Sequence, residues 1–401
     1  MTTRTAADAV DADRLLSDLR ALRTFGAEGT GVRRTSLSPV DVASREWLVG
    51  RFAGAGLDAR IDGLGTVVGR SGVGGRAVVL GSHTDTQPLG GWLDGAYGVV
   101  CGLEVARALP HLAIDVVSWM DEEGTFHGFV GSRAFARHDM SADLETMAGP
   151  LRDAGWWGRP VWQVEPDRHV GYLEAHIEQG GRLEATGSRL GVVTAIVGIR
   201  QHVVRFGGRR NHAGTTPMPM RADASVALVR FLTALDAAFD AARGPDSVWT
   251  HGRLSVGPGA PSIIPDSAEV TVQYRDPDAV VLARLDEAFA RTVAGARASS
   301  PAGVTIDVAP SEYQVPPVEM DHGLAEVLAG AAAELAPGAW TRMPSGAAHD
   351  AQVVSEVLPS AMLFVPSIGG ISHADDEDTD VADLVLGCRT LARAVEMLLD
   401  R

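Results

Sequence analysis

The sequence predicts an α/β fold in two parts: a mixed-sheet domain that gathers its functional residues at strand ends, and a smaller βαββαβ module inserted into it. Three observations carry this. Short apolar runs alternate with longer amphipathic stretches through most of the chain, the pattern of a sheet covered by helices. His83, Glu123, His176 and His373 each follow one of those runs, at the strand ends where open α/β sheets place their sites. Between residues 198 and 314 the order changes to strand, helix, strand, strand, helix, strand, the split arrangement of a ferredoxin-like module.

In chain order, Asp11–Phe25 places Leu15, Leu16, Leu19 and Leu22 at helical spacing. Ser38-Pro39 opens a second helix through Gly54, with Ser as cap and Pro in the first turn. Short β-like pieces follow at Ala59–Ile61 and Thr66–Gly69, and Ala77–Leu80 reads as a buried strand. The Gly-rich loop Gly81–Gly98 comes next and feeds a helix from about Gly95 to Leu109. Ile114–Trp119 is another strand and runs straight into Asp121-Glu122-Glu123-Gly124. The stretch Ser141–Asp167, rich in Gly, Pro and Trp, reads as an irregular connection with short helical pieces. Gly171–Glu178 is strand-like, and Gly191–Phe206 reads as long β structure.

The inserted module comprises strand His202–Phe206, helix Arg221–Ala242, strands Val248–Ser255 and Ala268–Arg275, helix Pro277–Ala298 and strand Val304–Val308. The chain then returns to α/β with a helix His322–Leu335, a glycine turn at Ser345-Gly346, a strand Ala361–Val365 and a last helix Val381–Leu399. The predicted division is therefore 1–197 with 315–401 as one domain and 198–314 as the other.

Composition narrows the function. With 401 residues, 45% hydrophobic and 21% charged, the chain can bury two sizeable cores. Its net charge of −16 disfavours nucleic acid or an anionic membrane as partner and suits a small-molecule substrate. No apolar run approaches the roughly 18 residues of a membrane span, and the start lacks an apolar signal core, so a cytoplasmic protein is expected. Cys101 and Cys388, the two cysteines, sit in apolar helical contexts and read as buried thiols. Every cation is Arg, since the sequence contains no Lys; Schiff-base catalysis, a carboxylated-lysine metal site and a Glu-Lys-Cys amidase are thereby excluded.

His83, Asp94, Glu123, His176 and His373 form the candidate ligand set. Imidazole and carboxylate without thiolate suit Zn²⁺, Mn²⁺, Co²⁺ or Ni²⁺, and the acids leave room for two ions sharing one carboxylate, for which Asp94 is the choice. Asp85, two residues beyond His83, points the same way on extended chain and would orient its imidazole. Glu122 is the candidate base that takes a proton from water and returns it to a leaving group. His212, in the loop His212-Ala213-Gly214-Thr215-Thr216-Pro217-Met218, is a candidate oxyanion donor carried over the substrate by a lid. Arg275 could clamp a carboxylate bidentately, or simply pair with Asp276 or Asp278.

At these residues the chain resembles the dinuclear-metal M20 group, in its hydantoinase/carbamoylase branch. The motifs are Gly-Ser-His-Thr-Asp-Thr, Trp-Leu-Asp-Gly-Ala, Asp-Glu-Glu-Gly, Glu-Ala-His-Ile-Glu-Gln-Gly, His-Ala-Gly-Thr-Thr-Pro-Met, Ser-Gly-Ala-Ala-His-Asp-Ala and Gly-Ile-Ser-His, spread from Gly81 onward. The resemblance implies two divalent ions held by His83, Asp94, Glu123, His176 and His373, and Glu122 as base. It also implies substrate contacts from Gln179, His212, Arg275 and the Gly346 loop. It further implies that the inserted domain is a lid and makes a homodimer, with His212 reaching the neighbouring subunit's site. Two departures stand out. Ser262-Ile263-Ile264-Pro265 has Ser262 where relatives carry an Asn that helps hold the substrate carboxylate, and the tail after His373 lacks their Pro-x-Glu run.

The expected function is hydrolysis of the linear amide C–N bond of an N-carbamoyl (ureido) amino acid or related acid, releasing ammonia and CO₂. The alternatives are an M20-type aminoacylase or dipeptidase and, more remotely, a non-catalytic binding protein of the same fold.

Overall fold

The computed structural model describes residues 5–309 and 313–399. They divide into two compact units, one running to Thr194 and resuming at Met320, the other Ala195–Glu319.

The larger unit is built on a mixed sheet in the order Leu190–Ile196, Ser360–Val365, His169–Ile177, Ala77–His83, Ile114–Trp119, Val67–Arg70, Asp58–Ile61. The four strands from Ser360–Val365 through Ile114–Trp119 are mutually parallel, while the outer ones run antiparallel. All residues of Ala77–His83, Ile114–Trp119 and Ser360–Val365 are buried. Helices cover both faces of such strands, which is why they read as continuous rather than alternating apolar runs. Parallel strands also deliver their carboxyl ends to one edge, and that edge is where the sequence places polar residues.

Helix boundaries follow local chemistry. Asp11 caps Ala12–Arg23 by accepting the Arg14 N–H, and Ser38 caps Pro39–Gly54 by accepting that of Asp41. Gly95 stands at the mouth of helix Ala96–Ala108 with φ +65°, a left-handed conformation that glycine adopts without strain. Val99, Val100, Leu103, Leu173, Leu363, Leu391 and Val395 belong to the core that this unit buries around its sheet. Cys101 and Cys388 are free and buried. None of the described helices is long and apolar enough to cross a membrane.

The smaller unit has an antiparallel sheet ordered Val248–Gly257, Ser267–Asp276, Gly198–Gly207, Thr305–Ala309, backed by helices Ala224–Ala242 and Ala279–Ser299. In chain order the four strands stack as second, third, first, fourth, which is the ferredoxin-like arrangement. Asp223 and Asp278 cap the two helices. Along Ser267–Asp276, Ala268, Val270, Val272, Tyr274 and Asp276 are buried and alternate with half-exposed neighbours, as expected of a sheet covered on one face. Val270 and Val272 join Phe231, Leu235, Phe239, Leu285 and Phe289 in a separate core.

Three local readings are corrected. Ser141–Asp153 is a thirteen-residue helix rather than short pieces in an irregular connection; Met147 and Leu151, one turn apart, are fully buried and override the cost of Pro150 in the last turn. The long β stretch after Gly191 breaks at Val197 into two strands that join different sheets. Trp340–Ser345 is an additional strand beside Leu190–Ile196; Pro344 disguises it, and proline is tolerated on an edge.

Candidate metal centre

His83 is the last residue of its strand and His176 the last but one of Ala77–His83's neighbour His169–Ile177. His83 Nδ1 lies 3.0 Å from the main-chain oxygen of Asp85, and His176 Nδ1 2.8 Å from that of Ile177. A carbonyl oxygen only accepts, so both Nδ1 atoms carry a proton, and in the neutral ring each Nε2 then presents a lone pair. The Asp94 carboxylate meets them. Its Oδ1 is 3.7 Å from His83 Nε2 and 3.2 Å from His176 Nε2, while its Oδ2 is 3.0 Å from His373 Nε2. His373 Nε2 is in turn 3.6 Å from Glu123 Oε2.

The result is two triads, His83/Asp94/His176 and Asp94/Glu123/His373, each with donor atoms within 4.8 Å of one another and sharing Asp94. Ligand bonds of about 2.0–2.2 Å in tetrahedral geometry put neighbouring donors roughly 3.4 Å apart. The observed separations of 3.0 to 3.7 Å bracket that value, and oxygen and imidazole donors without thiolate suit the metals named above. The residues therefore fit a divalent metal site, with Asp94 common to both triads.

The electrostatics are consistent with a cationic occupant. Burial pulls the His83 imidazole down to about 4, so it stays neutral and ready to ligate. Burial, then the charge of Asp94, push Glu123 up to about 8. Glu122 Oε2 stands 3.6 Å from His83 Nε2 and belongs to neither triad. Burial, and Glu123 next to it, hold its carboxyl well above the usual range. Asp121, at φ +56°, folds this acidic loop by accepting the N–H groups of Phe126, His127 and Gly128.

Asp85 differs from expectation. Its main-chain carbonyl orients His83, while its carboxylate Oδ1 stands back at 3.8 Å from Nδ1. The carboxylate Oδ2 accepts the Glu123 N–H at 3.1 Å and the Ser36 hydroxyl at 3.0 Å instead. The strand ends at His83, so the extended geometry that would have aligned the two side chains does not continue.

Gln179 is brought into the cluster, with Nε2 3.0 Å from Asp94 Oδ2 and 3.3 Å from His373 Nε2. Gly346 lies in the turn after Trp340–Ser345, where the Ser345 hydroxyl meets His349 Nε2 at 2.9 Å. The His349 ring packs edge-on against His176 at 4.6 Å. His349 also groups with Glu174 and His176, but Glu174 already accepts from Ser82, Tyr172 and the Ala351 N–H. That grouping is a hydrogen-bonded network that shares His176 with the first triad.

His212, Ser262 and Arg275 belong to the smaller unit. His212 Nδ1 accepts the N–H groups of Gly214 and Thr215 at 3.0 and 3.2 Å, which leaves the ring proton on Nε2 and makes that atom a donor. Ser262 accepts the Ala213 N–H through its main-chain oxygen, so its loop braces the histidine loop. Arg275 donates to Gln273 Oε1 from both Nε and Nη2. Asp276 meanwhile engages the Ser247 hydroxyl and the Asp278 N–H, and Asp278 caps its helix.

Sequence reasoning missed Glu377. Its Oε1 accepts the N–H groups of Leu93 and Asp94 at 3.1 and 3.0 Å, and Ser372 donates to its Oε2. The acidic run Asp375-Asp376-Glu377-Asp378 was the available signal, masked by the solvated look of such runs.

A model of peptidase family M20/M25/M40 matches residues 79–397. The chain is 32% identical to an N-carbamoyl-L-amino-acid amidohydrolase of Paenarthrobacter aurescens, over 96% of this chain and 98% of that protein. It is 32% identical to an allantoate amidohydrolase of Escherichia coli strain K12, over 92% and 94%. Among solved structures, an amidase of the hydantoinase/carbamoylase family from Burkholderia phymatum is similar with a TM-score of 0.92 and 48% identity, over 98% of each chain.

Proposed function

The chain belongs to peptidase family M20/M25/M40, and from that membership we propose that it is a metal-dependent amidohydrolase. Its substrate is an N-carbamoyl amino acid or related ureido acid, whose linear amide C–N bond it cleaves with one water to give the amine, ammonia and CO₂. The observation that carries the reading is the pair of triads sharing Asp94, with Glu122 beside His83.

When bound, two divalent ions supply Lewis acidity toward the ureido carbonyl and a hydroxide nucleophile at neutral pH. His83, His176 and Asp94 would hold one ion, and Asp94, Glu123 and His373 the other. Glu122 accepts the proton of the attacking water and returns it to the leaving nitrogen. Gln179, beside Asp94, and the Gly346 loop contact the substrate. His212 Nε2–H steadies the developing oxyanion. Arg275, its plane fixed by Gln273, clamps the substrate carboxylate, helped less by Ser262 than by a longer Asn.

The smaller unit acts as lid and homodimer contact in this reading. Its edge strand Val248–Gly257 leaves Val248, Leu254 and Val256 exposed, an open edge of the kind that folded proteins cover. The protein works as a soluble cytoplasmic enzyme with no nucleic-acid or membrane partner.

The test is a screen of carbamoyl-α-amino acids, β-ureidopropionate, allantoate and ureidoglycolate, with Zn²⁺, Mn²⁺, Co²⁺ or Ni²⁺ added to stripped protein. Ammonia release from at least one is expected. Amine release from N-acyl amino acids or dipeptides instead would move the chain to the aminoacylase side of its family.

A further inference from the structure

We propose that Arg45 and Ser36 are positioning residues of the metal centre and act through Asp85. The inference rests on reading the two triads as that centre. Both residues precede residue 79, where the match to the family model begins.

Asp85 touches one ligand of each triad. Its main-chain oxygen receives the His83 Nδ1–H at 3.0 Å, and its carboxylate receives the backbone N–H of Glu123 at 3.1 Å. Whatever fixes Asp85 therefore fixes a ligand on either side of Asp94. Outer partners of this kind set ligand orientation and hence ion affinity.

Two groups from the N-terminal segment fix it. The Ser36 hydroxyl donates to Asp85 Oδ2 at 3.0 Å. Residues 34 to 36 run beside 84 to 86, with Arg34 N–H donating to Thr86 Oγ1, Thr86 N–H to the Arg34 carbonyl, and Arg34 Nε to the Thr84 carbonyl. That pairing sets the register that brings Ser36 to Asp85.

Arg45, on helix Pro39–Gly54, has no solvent exposure. Its Nε lies within hydrogen-bond distance of both oxygens of Asp41, and its Nη1 donates to the carbonyls of Gly65 and Trp119. Those bonds anchor the helix. Its Nη2 contributes to none of them and stands 3.7 Å from Asp85 Oδ1. Among the described residues neither atom has a hydrogen-bond partner. A buried guanidinium nitrogen 3.7 Å from a buried carboxylate oxygen, with His83 Nδ1 a further neighbour of that oxygen at 3.8 Å, is an ion pair held slightly open, and it places a positive charge directly behind the ligand shell.

The experiment measures Mn²⁺ affinity and stoichiometry by calorimetry on chelator-stripped full-length protein, for wild type, Ser36→Ala, Arg45→Lys and Arg45→Met. Urea unfolding of the stripped proteins serves as the folding control. Ser36→Ala and Arg45→Met are expected to weaken Mn²⁺ binding about 10- to 100-fold, with stoichiometry retained and with Arg45→Lys recovering part of the loss. Ser36→Ala removes one hydroxyl and keeps the decision open should Arg45→Met not fold. Mn²⁺ affinities of Ser36→Ala and Arg45→Lys within twofold of wild type would overturn the inference while leaving the metal centre standing. A wild-type protein that binds no Mn²⁺, Zn²⁺, Co²⁺ or Ni²⁺ would overturn both.

Discussion

Glu377 Oε1 accepts the backbone N–H of Asp94 at 3.0 Å, so the loop that carries His373 grips the loop that carries the shared carboxylate. The contact is tight enough that a Cβ added at Gly91 would lie 2.0 Å from the Glu377 side chain. Glu377→Ala leaves two buried N–H groups without their acceptor, at a cost of about 1–3 kcal/mol each. Urea unfolding of the stripped variant should show that loss, and Gly91→Ala should reproduce it. An unfolding midpoint unchanged in both would mean that the two loops hold themselves in place.

The triads predict distinct ion counts. His373→Ala removes a ligand from one triad and leaves His83, Asp94 and His176 intact, so one ion per chain should remain. Asp94→Ala removes a ligand from both, and neither ion should survive gel filtration. Elemental analysis of the purified variants reads this directly. Two ions per chain in His373→Ala would dismiss the assignment of that histidine.

Glu122 and Glu123 are neighbours in sequence with separate tasks in the proposed mechanism. Glu122→Gln keeps shape and packing and should leave metal content unchanged, while turnover falls about 10²- to 10⁴-fold. Retention of more than a tenth of wild-type kcat would remove Glu122 from the mechanism. The same substitution at Glu123 should instead lower metal content, because a neutral amide replaces a ligand carboxylate.

Gly95 predicts a steric effect on one ligand alone. Its φ is +65°, and an added Cβ would sit 2.5 Å from three atoms of the His83 ring. Gly95→Ala should therefore displace His83 and weaken the ion held by its triad more than the other, seen as two separated affinities in a metal titration. Two ions lost together would point to a general collapse of the loop.

These cases show what the sequence could and could not convey. Apolar runs ending at Leu80, Trp119 and Ala175 made the strand ends readable, and the histidines and acids that follow them stood out because such groups are costly there without a partner. The same logic failed for Ser36, Arg45 and Glu377. Each acts across a long separation in the chain, and Glu377 acts on backbone N–H groups that have no signature of their own. The helix Ser141–Asp153 was hidden for another reason: Gly149 and Pro150 are breakers by propensity, and only the burial of Met147 and Leu151 outweighs them. His349 lay inside a quoted motif, yet its contact with His176 depends on a turn that residue spacing does not fix.

Arg275 supplies the last prediction, because Gln273 Oε1 holds its guanidinium from two nitrogens at 3.0 and 2.8 Å. A planar fork fixed in this way suits a carboxylate, and Lys cannot reproduce it. Arg275→Lys should cost about 1.5–3 kcal/mol of substrate binding, roughly 10- to 150-fold in KM, with kcat little changed. Gln273→Ala, which frees the fork without removing it, should shift KM in the same direction by less. A substrate whose carboxylate is replaced by a carboxamide removes the partner, so wild type and Arg275→Lys should then converge. If the variant stays equally handicapped on the amide, Arg275 is holding the sheet rather than the substrate, and specificity has to be sought at Ser262 and the histidine loop it braces.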